Sequence, residues 1–407
     1  MDFLKAITAK KALEIIREFP VEEIDTETVG IEDVQGRVLA KDIVSDYAIP
    51  PFTRSLVDGY AVKTKDTQGA KETAPALLNL KGEIRIGEET HTVLFDGDAV
   101  YVATGSMVPD GCDAVVMQEH SRPATDVVEI TKAVHQGENI CYEGEDIPRG
   151  TSILRKGGRV KAFDRGVLAA IGVSGVEVYK LPRVALISSG DEIVGINEDA
   201  PPGKIRDINR YTVSGLVKNA GGNTHFLGLS RDNISDITEK LSLARDYSMI
   251  LISGGSSKGE RDFITASIEK LDGTILFHGI NIKPGKPAIF GQLFGKPVFG
   301  LPGHPGSCAM VTVRFVIPLL RRLQGEEHCN EITIPALMAT NVPSSYGIEE
   351  YIRVTLEKDE ENRYYARPVF SKSAVIAPLA QSDGYIAVPD NTEGIEKGEA
   401  VEVFLFP

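Results

Sequence analysis

The sequence predicts a multidomain protein of α/β plus β class, in which one α/β unit with a mostly parallel sheet is flanked by β-rich segments. Three observations predict it. The chain has 407 residues, more than one ordinary core accommodates, so two to four domains are expected. From Pro182 to about residue 327, short apolar runs alternate with amphipathic stretches, as in successive βαβ units. Before and after that region, β-like runs separated by turn residues take over.

Taken in order, Phe3, Leu4, Ile7, Leu13, Ile16 and Phe19 mark one face of a starting helix that Pro20 ends. Residues 21–45 suit a short strand or hairpin region, punctuated at Gly30 and Gly36, and Pro50-Pro51 marks a boundary. The runs GYAVKT, PALLNLKGEI, DAVYVATG, DAVVMQEH and DVVEIT then predict a small all-β unit to about residue 140. KAFDRGVLAAIGV, within 141–180, is helix-like; its pairing with the N-terminal helix would make one domain interrupted by the β insertion. In the α/β region the strands are RVALISS, NTHFLGL, SMILISG, TILFHGI and KPVFGL. The helices are INRYTVSGLVKNAG, NISDITEKLSLARD, DFITASIEKLDG and SCAMVTVRFVIPLLRRLQG. ITIPALMAT, EYIRVTLEK, YYARPVF, GYIAVPD and EAVEVFLF close the chain as a β unit. The expected division is 1–45 with 141–180, 46–140, 181–327 and 328–407.

Lys plus Arg number 44 against 58 Asp plus Glu, a net charge of −14, so the chain has no general attraction for nucleic acid or anionic membrane, and any anion site must be a local basic island. Cys112, Cys141, Cys308 and Cys329 form no CxxC pair, and the histidines form no HxxxH or HExxH pattern, which argues against structural zinc and for reduced thiols. The N-terminus mixes charge into its apolar residues, unlike a signal peptide, and no run approaches the ~18 apolar residues of a membrane span. A cytoplasmic protein is expected.

The chemistry concentrates between Ile250 and Ser307. LISGGSSKGERDF follows a strand, so Gly254, Gly255, Ser256 and Ser257 suit a tight turn aimed at an anion, with Asp262 at the next helix start, facing either a cap role or a phosphate-bound metal. KPGKP, from Lys283 to Pro287, holds Lys283 and Lys286 on one short turn, which is unfavourable unless an anion offsets the two charges; a solvated turn carrying two lysines is the alternative. LPGHPGS supplies Gly303 and, near a helix start, Ser307; His304 is equally a surface polar group. ALISSGDEIV places Ser189, Gly190, Asp191 and Glu192 at a strand end, where one or two carboxylates suit Mg²⁺ held by ligand phosphates. Asp207, Asn209, Arg231 and Asp232 also follow strands of that sheet, with capping or turn formation as the alternative. LVDGYAV (Asp58), ATGSMVPDGCDAVV (Thr104) and GENICYEGEDIPRG (Asp146) are turn-like, and residue chemistry alone does not separate an Asx-turn from a functional site.

In this order, PPFTRSLVDGYAV, TGSMVPDGCDAVV, GENICYEGEDIPRG, SSGDEI, DIN, SGGSSKGERD, KPGKPAIFG and LPGHPGS resemble the molybdopterin molybdenumtransferase family, the MoeA proteins and the E domain of gephyrin. The family pattern runs PPFxxSxMDGYAV, TGxxxPxGADAVV, GENxRxxGEDxxxG, STGDEL, DxN, SGGVSxGxxD, KPGKPxxFG and LPGNPVS. The resemblance implies a discontinuous domain I, an inserted β domain II, a MogA-like α/β domain III and a C-terminal β domain IV, assembled as a homodimer with a cleft shared across the dimer. It implies insertion of molybdate into adenylylated molybdopterin with Mg²⁺-dependent release of AMP. Carried over by motif, Asp58, Thr104, Asp146, Glu192, Asp232 and Asp262 would be the polar and acidic cleft residues, with Glu192 and Asp262 on the metal. Lys283 and Lys286 would bind the oxyanion with Ser307, and in domain IV Arg353 and Ser373 match the molybdate-side Arg and Ser. A MogA-type adenylyltransferase and molybdoenzyme acceptors are the implied protein partners. The chain departs from the pattern at Thr53, Arg54, Val57, Ser256, His304 and Gly306, with Lys258 at a variable position. A tungstate-preferring paralogue, a MogA-like adenylyltransferase and a non-catalytic dimeric scaffold are the alternatives.

Overall fold

The computed structural model describes residues 6–22, 24–254, 263–327 and 331–406. Phe3, Leu4, Gly255, Ser256, Ser257, Lys258, Asp262 and Cys329, which entered the sequence reading, lie outside them.

The alternation beginning at Pro182 folds as a six-stranded sheet. Its strands are β1 (Arg183–Ser189), β2 (Asn223–Ser230), β3 (Met249–Ser253), β4 (Thr274–His278), β5 (Ile289–Leu293) and β6 (Lys296–Leu301), in the spatial order β2-β1-β3-β6-β5-β4. β2, β1, β3 and β6 are parallel, and β5 runs against both of its neighbours. Helices cover both faces, which is why β1 and β3 are near-continuous apolar runs. The pleat divides them: Val184, Leu186, Met249 and Leu251 enter one core, while Ala185, Ile187, Ile250 and Ile252 enter the other.

β5 is the strand missing from the sequence reading. Phe294 (φ 54) and Gly295 (φ 79) join it to β6 in a two-residue turn with both φ positive, so β5 and β6 form a hairpin within one apolar stretch. The other expected strands and helices of this region form, among them Asn209–Asn219, Ile234–Ser242, Phe263–Lys270 and Pro305–Val311.

The N-terminal helix, Ala9–Glu18, is capped by Thr8, whose Oγ1 accepts from Lys11 N at 3.2 Å. It does not pair with the helix Ala162–Ala170. Its Ala9, Ala12 and Ile16 pack instead into the α/β core, and Phe19 meets Phe290 edge-on at 5.5 Å. Arg322 fixes this placement by donating to Ile16 O (2.9 Å) and Phe19 O (3.1 Å) at the helix end. Leu168 of the other helix packs in a separate core with Val34, Leu39, Val160 and Val178. Strands Thr26–Gly30 and Gly175–Tyr179, antiparallel, bring the two halves of that region together.

Between them, the runs at Gly59–Val62, Ala76–Ile84, Asp98–Val102, Ala114–Met117, Ser121–Pro123 and Val127–Ile130 make one six-stranded sheet. At the C-terminal end, Glu349–Lys358 pairs with both Tyr364–Pro368 and Gly384–Val388, and Thr333–Met338 and Ala400–Leu405 complete the ring. A closed five-stranded barrel results, which removes exposed strand edges. The short strand Ile282–Lys283 adds in parallel to the barrel at Glu349–Glu350, so the KPGKP loop is stitched to the barrel. Nearby, a π-helical turn, Thr312–Val316, carries the Arg314 guanidinium to 5.5 Å from the Tyr351 and Phe404 rings and 3.0 Å from Glu331. Among the described residues no helix is long and apolar enough to cross a membrane.

Candidate active site

β1 lies between β2 and β3, so the connections leaving it and its neighbour run to opposite sides and a crevice opens at their carboxyl ends. There β3 ends in Gly254, at φ +99, and a Cβ at that position would sit 1.9 Å from Ser189 O. Only glycine lets the strand turn this close to β1.

A cavity of about 580 Å³ occupies the crevice and takes in Ser189, Glu192, Asp232, Gly254, Pro287, Gly303 and Ser307. Ser189 Oγ donates to Asp232 Oδ1 at 2.6 Å. Asp207 and Asn209, at the start of the helix after the 191–206 excursion, form another part of the wall and are 6% and 8% exposed. Asp207 Oδ1 accepts from Arg210 N at 3.1 Å, and Asn209 Nδ2 donates to Gly303 O at 2.9 Å. Their other oxygens, Asp207 Oδ2 and Asn209 Oδ1, are buried with no partner, as is Ser188 Oγ. Buried acceptors left open are costly unless a ligand donates to them. The cavity therefore suits a ligand edge rich in N–H groups. Burial, with the negative charge of Asp207 next, pushes the Cys308 thiol far up, so it supplies no thiolate.

A second pocket, of about 440 Å³, adjoins the first and shares Pro287 and Ser307 with it. KPGKP forms one wall and the barrel the other, with Lys283, Lys286, Arg353, Ser371 and Ser373 in the lining. Lys283 Nζ lies 2.7 Å from Glu350, so the charge that offsets Lys283 in the protein itself is a barrel carboxylate brought there by the 282–283/349–350 pairing. Arg353 is 8% exposed, and burial lowers its pKa. Its Nη2 donates to Ser371 Oγ, while its Nη1 is buried without a partner. A buried guanidinium with an open N–H calls for an anion.

Ser371, not Ser373, is thus the hydroxyl on Arg353; Ser373 Oγ lies 2.9 Å from His304 Nδ1. The two serines are two residues apart on the loop that follows the strand Tyr364–Pro368, so the motif alone does not choose between them. Ser371 and Glu350 are the residues that sequence reasoning missed, because only the 282–283/349–350 pairing brings Glu350 to Lys283 and only the course of the loop after Pro368 brings Ser371 to Arg353.

Asp58, Thr104 and Asp146 are exposed and line neither pocket. Asp58 Oδ1 accepts from Thr104 N at 2.7 Å and from Thr104 Oγ1 at 2.9 Å, and these two bonds hold its carboxyl below the usual range. Asp146 N donates to Ile49 O at 3.1 Å. Gly190, whose N donates to Ser230 O at 3.2 Å, is also outside both linings. Of the expected metal pair, Glu192 faces the first cavity and Asp262 lies outside the described residues. Among the described residues no group of three or more His, Cys, Asp or Glu converges. Glu192 and Asp232, which both line the cavity, are a donor set that fits Mg²⁺ held mostly by ligand phosphates and water, not a closed protein cage.

Comparison with known proteins places this architecture. Residues 7–172 match the MoeA N-terminal region (domains I and II), and residues 335–406 match the MoeA C-terminal region (domain IV). Residues 185–322 match a probable molybdopterin binding domain. A Methanocaldococcus jannaschii protein assigned to molybdopterin biosynthesis is 34% identical over 97% of this chain and 96% of its own length. This chain belongs to the MoeA family. Within that family, the molybdopterin molybdenumtransferase of Bacillus subtilis is 31% identical over 94% of this chain and 90% of its own. A crystal structure of the MoeA protein from Pyrococcus horikoshii superposes with a TM-score of 0.87 at 32% identity, covering 99% of this chain and 100% of that one.

Proposed function

We propose that this MoeA-family chain is a molybdopterin molybdenumtransferase: it takes adenylylated molybdopterin and molybdate to the molybdenum cofactor and releases AMP, with Mg²⁺ as the divalent cation. The observation that carries the reading is the adjoining pair of pockets, one with open acceptors and one with an open guanidinium, meeting at Pro287 and Ser307. In the first, Asp207 and Asn209 accept from the amino-pyrimidinone edge of the pterin. Glu192 and Asp232 face the phosphate end, where bound Mg²⁺ would neutralise charge as the phosphoanhydride breaks. In the second, Arg353, Lys286 and Lys283 receive a tetrahedral dianion, for which charged donors and a serine hydroxyl are the fitting partners. Ser307 stands where the two ligands meet. Water adds across the phosphoanhydride, so AMP leaves with the bridging oxygen and the pterin keeps its phosphate; as the two dithiolene sulfurs bind molybdenum, their protons leave with one molybdate oxygen as water.

Asp58, Thr104 and Asp146, outside the pockets of their own chain, are proposed to complete the cleft of a second copy in a homodimer. The free thiols of Cys112, Cys141 and Cys308 suit a cytoplasmic setting. A MogA-type adenylyltransferase would supply the adenylylated pterin and molybdoenzymes would accept the product.

The test incubates purified protein with adenylylated molybdopterin, Mg²⁺ and molybdate or tungstate, and measures AMP. Oxyanion-dependent release is expected, and the two oxyanions compared in parallel separate a tungstate preference from a molybdate one. Release that ignores the oxyanion, or none at all, overturns the assignment. Mixing inactive Asp58→Ala and Glu192→Ala variants is expected to restore part of the activity; no restoration removes the shared-cleft proposal.

A further inference from the structure

The segment 369–376 leaves the barrel and crosses to the α/β unit. At its barrel end Val369 N donates to Arg353 O at 2.8 Å, and Ser371 Oγ accepts from Arg353 Nη2. At its other end Ser373 O accepts from Gly306 N at 2.9 Å, and Ser373 Oγ meets His304 Nδ1 at 2.9 Å. The segment is therefore a strap tied to both units, and it contributes Ala374 to the first pocket and Ser371 and Ser373 to the second.

Both α/β ties are made by residues at which the chain departs from its family's LPGNPVS pattern. A Cβ at residue 306 would lie 3.1 Å from Ser373 O and 3.4 Å from Ser373 Cα, a spacing that a branched side chain would have to enlarge. Residue 306 thus sets how closely the strap lies against the loop after β6. Residue 304 supplies a polar atom one bond beyond Cγ, which imidazole Nδ1 and an Asn amide both place there, whereas a Gln amide does not.

We propose that His304 and Gly306 are positioning residues for the oxyanion pocket. By fastening Ser373 they hold Ser371, two residues away, against one side of the Arg353 guanidinium, which leaves Nη1 turned to the oxyanion. This rests on the reading of that pocket as an oxyanion site. Without the fastening, Ser371 loses its fixed place, Arg353 gains alternatives to the productive rotamer, and oxyanion affinity falls.

Two readouts test the proposal: calorimetric titration with molybdate alone, and amide hydrogen exchange of 370–376. His304→Ala and Gly306→Val are expected to weaken molybdate binding at least fivefold and to speed exchange of the strap amides at least tenfold. In the AMP assay they raise the half-saturating molybdate concentration by the same factor as the binding loss, with the rate at saturation within twofold of wild type. His304→Asn is expected to stay within twofold of wild type in both readouts, and His304→Gln to behave as His304→Ala. Wild-type molybdate affinity in His304→Ala and Gly306→Val overturns the proposal alone. A wild-type protein that binds no molybdate overturns it together with the oxyanion reading of the pocket. Equal losses in His304→Asn and His304→Ala would also overturn it, since the geometry of Nδ1 would then be irrelevant.

Discussion

The two pockets on either side of Pro287 and Ser307 share a wall and differ in almost every other respect. The first is built at the carboxyl ends of a parallel sheet and leaves oxygen atoms open, at Asp207 Oδ2 and Asn209 Oδ1. The second is built between a sheet loop and a barrel and leaves a nitrogen open, at Arg353 Nη1. The first asks its ligand for donors and the second asks for negative charge. The difference shows how one acidic chain handles two ligands of opposite demand: Lys283, Lys286 and Arg353 gather in one small pocket, while Glu192, Asp207 and Asp232 line the other.

The largest expected effect comes from erasing the cationic side. Arg353→Ala removes charged hydrogen bonds each of which is worth about 1.5–3 kcal/mol, so molybdate affinity should fall about 10- to 100-fold by calorimetry. Pterin affinity should change less than about twofold on the same scale of effects. Equal losses for both ligands would mean the pockets are not separate. On the acceptor side, Asp207→Asn keeps an oxygen for the Arg210 N–H but turns the open acceptor into a donor. It should weaken binding of the pterin about tenfold, the measure of one unpaired buried group, without moving molybdate binding. Unchanged pterin affinity would remove Asp207 from the recognition of the ring.

A smaller effect, of opposite sign, is expected at Glu350. Glu350→Gln frees Lys283 from its 2.7 Å partner and should tighten molybdate binding about threefold, the order of one partly exposed ion pair. Weaker binding would show that Glu350 orients the lysine instead of competing for it. The smallest effect concerns neither pocket. Thr104→Val deletes one of the two bonds that depress the Asp58 pKa, so the carboxyl should titrate at higher pH in a ¹³C-NMR titration. A depressed folded-state pKa stabilises above the unfolded carboxylate value, and that contribution is lost as pH falls through the folded one. The Tm gap between wild type and this variant should therefore be full at neutral pH and close in acid. A gap that persists below the Asp58 titration would trace it to packing.

How much of this was legible in the sequence varied with the range of the interaction. Local signals sufficed for β1 and β3, where a run such as MILIS, buried on both faces, has no surface counterpart, and for the glycine that ends β3. They failed at β5, because the Phe294-Gly295 turn interrupts one apolar stretch with little composition change. They failed for the N-terminal helix as well, whose apolar face fits any core. The choice of the α/β core rests on Phe290 and Arg322, far along the chain. Motif resemblance found Lys283, Lys286 and Arg353, but Ser371 and Ser373 have the same chemistry and lie two residues apart in one loop, so only position could separate them.

By itself, then, the sequence determined the class of the fold, the order of its strands and helices apart from β5, and the residue types brought to the site, because these follow from periodicity, turn chemistry and ordered motifs within a few residues. The tertiary structure alone decided that the C-terminal strands close into a barrel, that Ile282–Lys283 joins it at Glu349–Glu350, and that Gly306 and His304 receive Ser373. The last two sets of contacts join residues roughly seventy apart in the chain, and what selects all of them is the register and burial of whole elements packed together, which no local pattern encodes.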